Sequence, residues 1–279
     1  MFNMISKIKK KIKSFIKYFK PDIKMTADIH LLQPNRRLIG KKIIITGGAR
    51  GLGYAMAKKF TEEGATVLIA GRNEETLKNA SKEIGCKYLV FDVSEFSKTH
   101  EFINSADKIL NGANVLINNA GISLHESSIF EVSEEQYDKQ FDTNLKGCYF
   151  LSQKFLERYL QENRRDGSIL FLSSERGQHV DDVPYGLIKA AINSLTQGLA
   201  KMLIKSNIRI NAIAPGITAT DMTGQSSENL FAEKYSTGRY YLPEEVAEVA
   251  CFLISDAAGC LSGQILVCNN GKSLNYRKS

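Results

Sequence analysis

No uninterrupted apolar run in the 279-residue sequence approaches the ~18 residues that a membrane-spanning helix requires. A chain that crosses a bilayer as helices is therefore excluded. Cysteine is sparse: Cys86, Cys148, Cys251, Cys260 and Cys268 form no CxxC pair and have no histidine cluster beside them. That pattern fits free thiols in a reducing compartment and argues against a disulfide framework or a zinc site. The four histidines, His30, His100, His125 and His179, show no ligand spacing, so no metal is expected. Excess charge is also missing from most of the chain. The formal net charge is +7, yet residues 1–40 hold ten Lys and Arg against two Asp, leaving 27 basic against 28 acidic side chains beyond them. A near-neutral body excludes nucleic acid as the expected partner, because such a body would need a basic face of its own.

What is present begins with the arm. Ile5, Ile8, Ile12, Phe15, Ile16 and Phe19 recur at helical spacing, with Lys7, Lys9, Lys10, Lys11, Lys13 and Lys17 between them. A helix of residues 1–20 would have one apolar and one cationic face, which suits peripheral contact with an anionic membrane. The alternative is a leader that packs on its own domain or stays disordered. A secretory signal is disfavoured because lysines interrupt what should be its apolar core. Residues 21–40, with Pro21, Pro34 and Gly40, read as a linker, and residues 41–279 as one nucleotide-binding domain. An apolar share of 43% is ample for a single core of that length.

From residue 41 onward, short β-branched runs alternate with helical stretches. Strands are predicted at 43–45, 66–70, 88–91, 115–117, 169–172, 208–213 and 264–268. Helices are predicted after residue 51, near 97–110, over 134–163 with a break at 144–147, and over 184–205 and 243–254. Such alternation implies a parallel sheet covered on both faces, a doubly wound Rossmann-type α/β fold with seven strands. Residues 217–241 lack periodicity and suit a mobile lid.

The turn between the first strand and the first helix carries Thr46-Gly47-Gly48-Ala49-Arg50-Gly51-Leu52-Gly53. Glycines there let backbone amides approach a pyrophosphate at a helix N-terminus. At the end of the second strand, where a carboxylate would hold the ribose 2′-hydroxyl of NAD, stands Gly71, followed by Arg72. With Arg50 in the glycine loop, two guanidinium groups can meet a 2′-phosphate, which favours NADP over NAD. Asp92 and Val93 end the third strand, and Asn118-Asn119-Ala120-Gly121 the fourth. Asp92 is placed to bond the adenine amine and the asparagine run to lie beside the adenosine ribose; as bare residues these are also simple turn formers. Tyr185 and Lys189 are four apart at the start of an apolar-periodic stretch and share one helix face. An ammonium beside a phenol favours its ionised form and suits it to exchange a proton with a substrate oxygen.

Together these residues resemble the short-chain dehydrogenase/reductase family in its one-domain branch, over residues 41–274. The glycine loop looks like TGxxxGxG, Asn118–Gly121 like NNAG, Tyr185–Lys189 like YxxxK, and Pro215-Gly216-Ile217-Thr218-Ala219-Thr220 like PGxxxT. The resemblance implies a tetrad. Tyr185 is the acid/base, Lys189 supports it and binds the nicotinamide ribose, Ser174 polarises the substrate oxygen, and Asn144 holds a proton-relay water. Ser174 is taken over Ser173 because the family's serine is followed by xxG, here Glu175-Arg176-Gly177. Cofactor contacts are implied at Thr46, Gly47, Arg50, Gly51, Leu52, Gly53, Arg72, Asp92, Val93, Asn119, Ala120, Gly121, Tyr185, Lys189, Pro215, Gly216, Ile217 and Thr220. Ser174 lies eleven residues before Tyr185, a shorter interval than the family's usual one, and Ile188 stands where a small or polar residue is usual. His125, His179, Glu126, Asp181 and Asp182 lie near the motifs and read as loop surface residues.

The implied activity is NADP-dependent hydride transfer to or from a ketone or secondary alcohol, most like the 3-oxoacyl carrier-protein reductase type and general ketone or sugar reductases. A cytoplasmic homodimer or homotetramer is expected. The competing reading is a non-catalytic dinucleotide-binding regulator or scaffold.

Overall fold

Successive side chains of a strand point to opposite faces. In β1 (Lys42–Thr46) this sends Ile43 and Ile45 to one side of the sheet and Ile44 to the other. β2 (Thr66–Gly71) divides the same way, with Val67 and Ile69 against Leu68 and Ala70. Both faces are apolar because both are covered, as an all-parallel sheet requires. In this computed structural model, which describes residues 23–26, 36–233, 235 and 237–274, seven parallel strands run in the order β3-β2-β1-β4-β5-β6-β7. The remaining strands are β3 (Lys87–Val90), β4 (Val115–Asn118), β5 (Ser168–Leu172), β6 (Arg209–Pro215) and β7 (Ile265–Cys268).

One face is covered by α1 (Gly51–Glu62), α2 (Glu74–Ile84) and α7 (Pro243–Ile254), through Met56, Phe60, Leu77, Val246 and Leu253. The other is covered by α3 (Thr99–Leu110), α5 (Gly147–Gln161) and α6 (Pro184–Met202), through Phe102, Ile103, Phe155, Ile188 and Ile192. Ile188, unusual by family pattern, is fully buried in this second core. The strand order reverses between β1 and β4, and that switch point opens a crevice at the carboxyl ends of the strands, where ligands of such sheets bind.

The helix predicted over 134–163 is α4 (Glu134–Phe141), a π-helical turn (Asp142–Lys146) and α5. Its break falls where the sequence places it. Gly147 explains the close approach that follows: a Cβ there would stand 2.7 Å from the Val93 carbonyl.

Residues 36–40, assigned above to the linker, are tied to the body. Leu38 is fully buried and its amide donates to the Glu63 carbonyl at 3.0 Å, while the Arg37 guanidinium pairs with Glu63 and Glu248. The amphipathic stretch of residues 1–20 lies outside the described residues. Among those described, no helix is long and apolar enough to cross a membrane.

Candidate active site

The glycine loop is held open by threonine and asparagine. Thr46 Oγ1 accepts from the amides of Asn119 and Ala120, both at 3.1 Å, and Asn119 Nδ2 donates to the carbonyls of Thr46 (2.8 Å) and Gly47 (3.0 Å). These bonds lock the β1 and β4 ends together across the switch point. Gly47 and Gly51 take positive φ (65° and 54°), conformations costly for a side chain, and a Cβ on Gly53 would overlap the Gly47 carbonyl. Across the cleft, Thr220 stands 3.5 Å from where a Gly51 Cβ would be, so the loop after β6 faces the glycine turn. A backbone cradle at a helix N-terminus, roofed by a threonine, fits a dinucleotide pyrophosphate.

Arg50 caps α1 and is exposed, and Arg72 follows Gly71 at the end of β2 with its side chain 62% exposed, 3.9 Å from Asp92 Oδ2. Asp92 Oδ1 is spent on the amide and hydroxyl of Ser94, at 2.9 and 2.7 Å. Val93 is buried. Gly216 donates to the Cys268 carbonyl at 2.9 Å, and Ile217 accepts from the Tyr241 amide at 3.0 Å.

β5 delivers Ser173 and Ser174 to the same edge. The Ser173 hydroxyl is buried and occupied, 2.6 Å from Asn193 Oδ1 and 3.2 Å from the Lys189 carbonyl. Ser174 only accepts, from the Arg176 amide at 3.3 Å, so its proton is free to be donated. Tyr185 lies in the first turn of α6, which Pro184 starts. Lys189, one turn on, is buried; its Nζ donates to the Leu172 carbonyl at 2.6 Å and sits 5.4 Å from the centre of the Tyr185 ring. Asn144, in the π turn, spends its side chain on Ile122, accepting from its amide (2.8 Å) and donating to its carbonyl (2.7 Å). Burial pushes the Cys148 thiol up to about 12 against the opposing charge of Lys189, which keeps it neutral behind the site. Burial also raises the phenols of Tyr235 and Tyr241, with the Glu175 carboxylate adding to both.

Two neighbours, Glu126 and Asp181, are not the loop surface residues that their positions suggest. Glu126 is 8% exposed and accepts from Gln140 Nε2 at 2.6 Å, so it is a buried polar contact between the loop after β4 and α4. Asp181 accepts from Arg176 Nε and Nη2 (2.7 and 2.6 Å) and from the Val183 amide (3.2 Å); this pair closes the shortened interval between Ser174 and Tyr185. Asp182 and His125 are exposed, as expected: Asp182 accepts from the Ile129 amide at 3.1 Å, and His125 reaches the Met222 carbonyl at 3.0 Å. Both draw loops together over the edge of the sheet. His179 is exposed, as expected. Glu175 was missed altogether: buried beside Ser174, it accepts from Asn269 Nδ2 (3.0 Å) and Lys272 Nζ (2.6 Å). A carboxylate directly after the candidate serine was the available signal, but its partners lie beyond β7. A polar surface crevice lined by Asp107, Asn114, Arg164 and Asp166 lies at the opposite, amino-terminal edge of the sheet.

A family model described as Enoyl-(Acyl carrier protein) reductase matches residues 47–273. The 3-oxoacyl-[acyl-carrier-protein] reductase of Aquifex aeolicus is 35% identical over 246 residues, spanning 84% of this chain and 98% of its own length. That of Chlamydia muridarum is 35% identical over 255 residues, spanning 85% and 99%. Among solved structures, a short-chain dehydrogenase from Burkholderia cenocepacia in complex with NADP is similar at 25% identity and a TM-score of 0.74, over 84% of this chain and 98% of that one. A short-chain type dehydrogenase/reductase from Mycobacterium marinum is similar at 26% identity and 0.77, over 85% and 97%.

Proposed function

The chain belongs to the short-chain dehydrogenase/reductase family and is an NAD(P)-dependent oxidoreductase acting on CH–OH groups, and we propose that it is an NADP-dependent reductase of 3-oxoacyl thioesters or a related small ketone. The observation that carries the reading is the placement of Lys189, fixed by the Leu172 carbonyl with its charge turned toward Tyr185, on the edge that holds the glycine cradle. The cradle of Gly47, Gly51 and Gly53 with Thr220 would hold the pyrophosphate, and Arg72 and Arg50 would meet the 2′-phosphate. A nicotinamide bound there would supply hydride chemistry. Ser174 donates a hydrogen bond to the substrate carbonyl oxygen, and Tyr185 gives that oxygen its proton as the alcohol forms. Lys189 offsets the negative charge left on the phenol. Asn144 fixes the backbone through which a water returns a proton to Tyr185. The 3-oxoacyl preference is supported by the relatives from Aquifex aeolicus and Chlamydia muridarum, and the preference for NADP by Gly71-Arg72 and by the Burkholderia cenocepacia structure.

The reading places the protein in the cytoplasm as a homodimer or homotetramer, supported by the exposed apolar side chains of Tyr137, Tyr149 and Leu187 on α4, α5 and α6. It assigns residues 1–20 to the surface of an anionic membrane. The test is turnover of NADPH on a panel of ketones, 3-oxoacyl thioesters and sugars, with Tyr185→Phe beside the native chain. The variant is expected to bind NADPH as before and to lose at least about a thousandfold in turnover, within the range for a positioned acid. Near-native reduction by it would remove the tyrosine assignment, and silence of the native chain on every substrate would favour a non-catalytic binder.

A further inference from the structure

The match to the relatives leaves a surplus of chain. About 84% of this chain spans nearly all of the Aquifex aeolicus relative, and the family match ends at residue 273, so the extra sequence precedes the glycine loop. One described part of it, residues 23–26, lies against the segment that follows β6. Leu230 donates its amide to the Met25 carbonyl at 3.0 Å. Asn229 holds the other side: its Oδ1 accepts from the Met25 amide (3.1 Å) and the Phe231 amide (3.0 Å), and its Nδ2 donates to the Ile23 carbonyl (3.4 Å).

The contact continues inward. Tyr240 donates to the Leu230 carbonyl at 2.9 Å, Tyr241 donates to Ile217 at 3.0 Å, and Ala219 donates back to Tyr241 at 2.8 Å. A ladder of backbone bonds thus runs from Met25 through Leu230 and Tyr240–Tyr241 to residues 217–219, next to Thr220 on the cofactor cleft. Its inner members are buried, Leu230 at 1%, Thr218 at 3% and Ala219 at 6% exposure, whereas Ile23 is 45% exposed. The outer rung therefore adds backbone order rather than core.

We propose that the N-terminal extension is a working part of the substrate site, supplying the outer backbone partner of the flap formed by residues 217–241, with Asn229 as the positioning residue that fastens it. The inference rests on the reading that this flap covers the substrate, and it gives the extension a task at the reaction that a detached leader would not have. An unfastened flap closes less often, so the carbonyl substrate binds more weakly while the cradle for NADPH is untouched.

The experiment compares full-length Asn229→Ala, Asn229→Asp and Met25→Pro with the native chain. Met25→Pro removes the donor to Asn229, and with it the Met25 side chain beside Gly238, and lies outside the family body, so its effect does not come from an unfolded core. Amide hydrogen exchange is measured first, without substrate. Asn229→Ala and Met25→Pro are expected to speed exchange at Leu230, Tyr240 and Ala219 and to raise substrate KM about tenfold, as the loss of one or two net hydrogen bonds implies. kcat and the Kd for NADPH should hold. Asn229→Asp keeps both acceptor contacts and should stay near native. Native exchange at Leu230 and Tyr240 in Met25→Pro would overturn the inference, and so would faster exchange with an unchanged KM. Because exchange needs no turnover, a chain that reduced none of the tested ketones would defeat the activity assigned above and leave the strap standing or falling on its own result.

Discussion

Arg72 stands at the end of β2 with its guanidinium mostly in solvent and Asp92 3.9 Å away, so in the free protein it has one weak partner to give up. A 2′-phosphate would give it a charge-assisted contact of roughly 1.5–3 kcal/mol. Arg72→Ala is therefore expected to weaken NADPH by about ten- to a hundredfold while NADH changes little, and Arg50→Ala on top of it to widen the gap. Titration of both cofactors by fluorescence checks it; equal losses would mean that the arginines serve the fold. At this scale the motif residues were legible because their chemistry depends on local spacing: Tyr185 and Lys189 share a helix face whatever lies around them. Glu175, Glu126 and Asp181 were not legible as buried groups. The partners of Glu175 lie 94 and 97 residues away, and no local pattern announces them. Ser173 and Ser174 are adjacent hydroxyls that the following xxG tells apart in the sequence and the contact of Ser173 with Asn193 in the structure.

Among the elements, α7 shows how a single side chain can set a helix start. Glu245 accepts from the Leu242 amide at 2.8 Å and from Arg239 Nη1 and Nη2 at 2.8 and 2.7 Å, which joins the helix to the flap. The hydrogen bond from Arg239 holds its carboxyl below the ordinary value of 4.5, against the pull of burial. A depressed folded pKa contributes stability that is present above the unfolded value and lost as pH falls through the folded one. Glu245→Gln is expected to lower the Tm by about 2–6 °C at pH 7, from roughly 1–2 kcal/mol in a body of this size. The difference should shrink once the pH drops below 4.5 and vanish in stronger acid, as a thermal melt series would show. Strands and helices were legible at this scale because the burial pattern writes itself into the sequence: Ile43, Ile44 and Ile45 are all buried, as a β-branched run is in a sheet covered on both faces. The π turn at Asp142–Lys146 was legible only as a break, since one extra residue per turn leaves no compositional mark.

For the whole molecule, charge divides the chain into a basic arm and a neutral body. Removing residues 1–20 is expected to abolish co-sedimentation with anionic vesicles, because each surface-bound lysine adds about 1 kcal/mol and seven are lost. Kinetics on a soluble ketone should be unchanged, provided that the cut spares residues 23–26. Indifference of the full chain to such vesicles at low salt would return the arm to a leader or packing segment. The linker boundary was the least legible part of the organisation. Residues 36–40 read as polar connection, yet Leu38 is fully buried and Arg37 joins Glu63 to Glu248; a single leucine and a single arginine carry no periodicity.

The contact between Met25 and Asn229 spans 204 residues. Met25 leaves the ribosome early and Asn229 only when most of the chain has been made, after the strands from β1 to β6. Until residue 229 is made the strap has nothing to hold, and long-range pairings of this kind form late. In pulse-labelled refolding the amides of the central strands should gain protection before that of Leu230. The native flap is thus a mark of completion: a nascent chain stopped before residue 229 can build much of the sheet, but it has no partner for its own first segment.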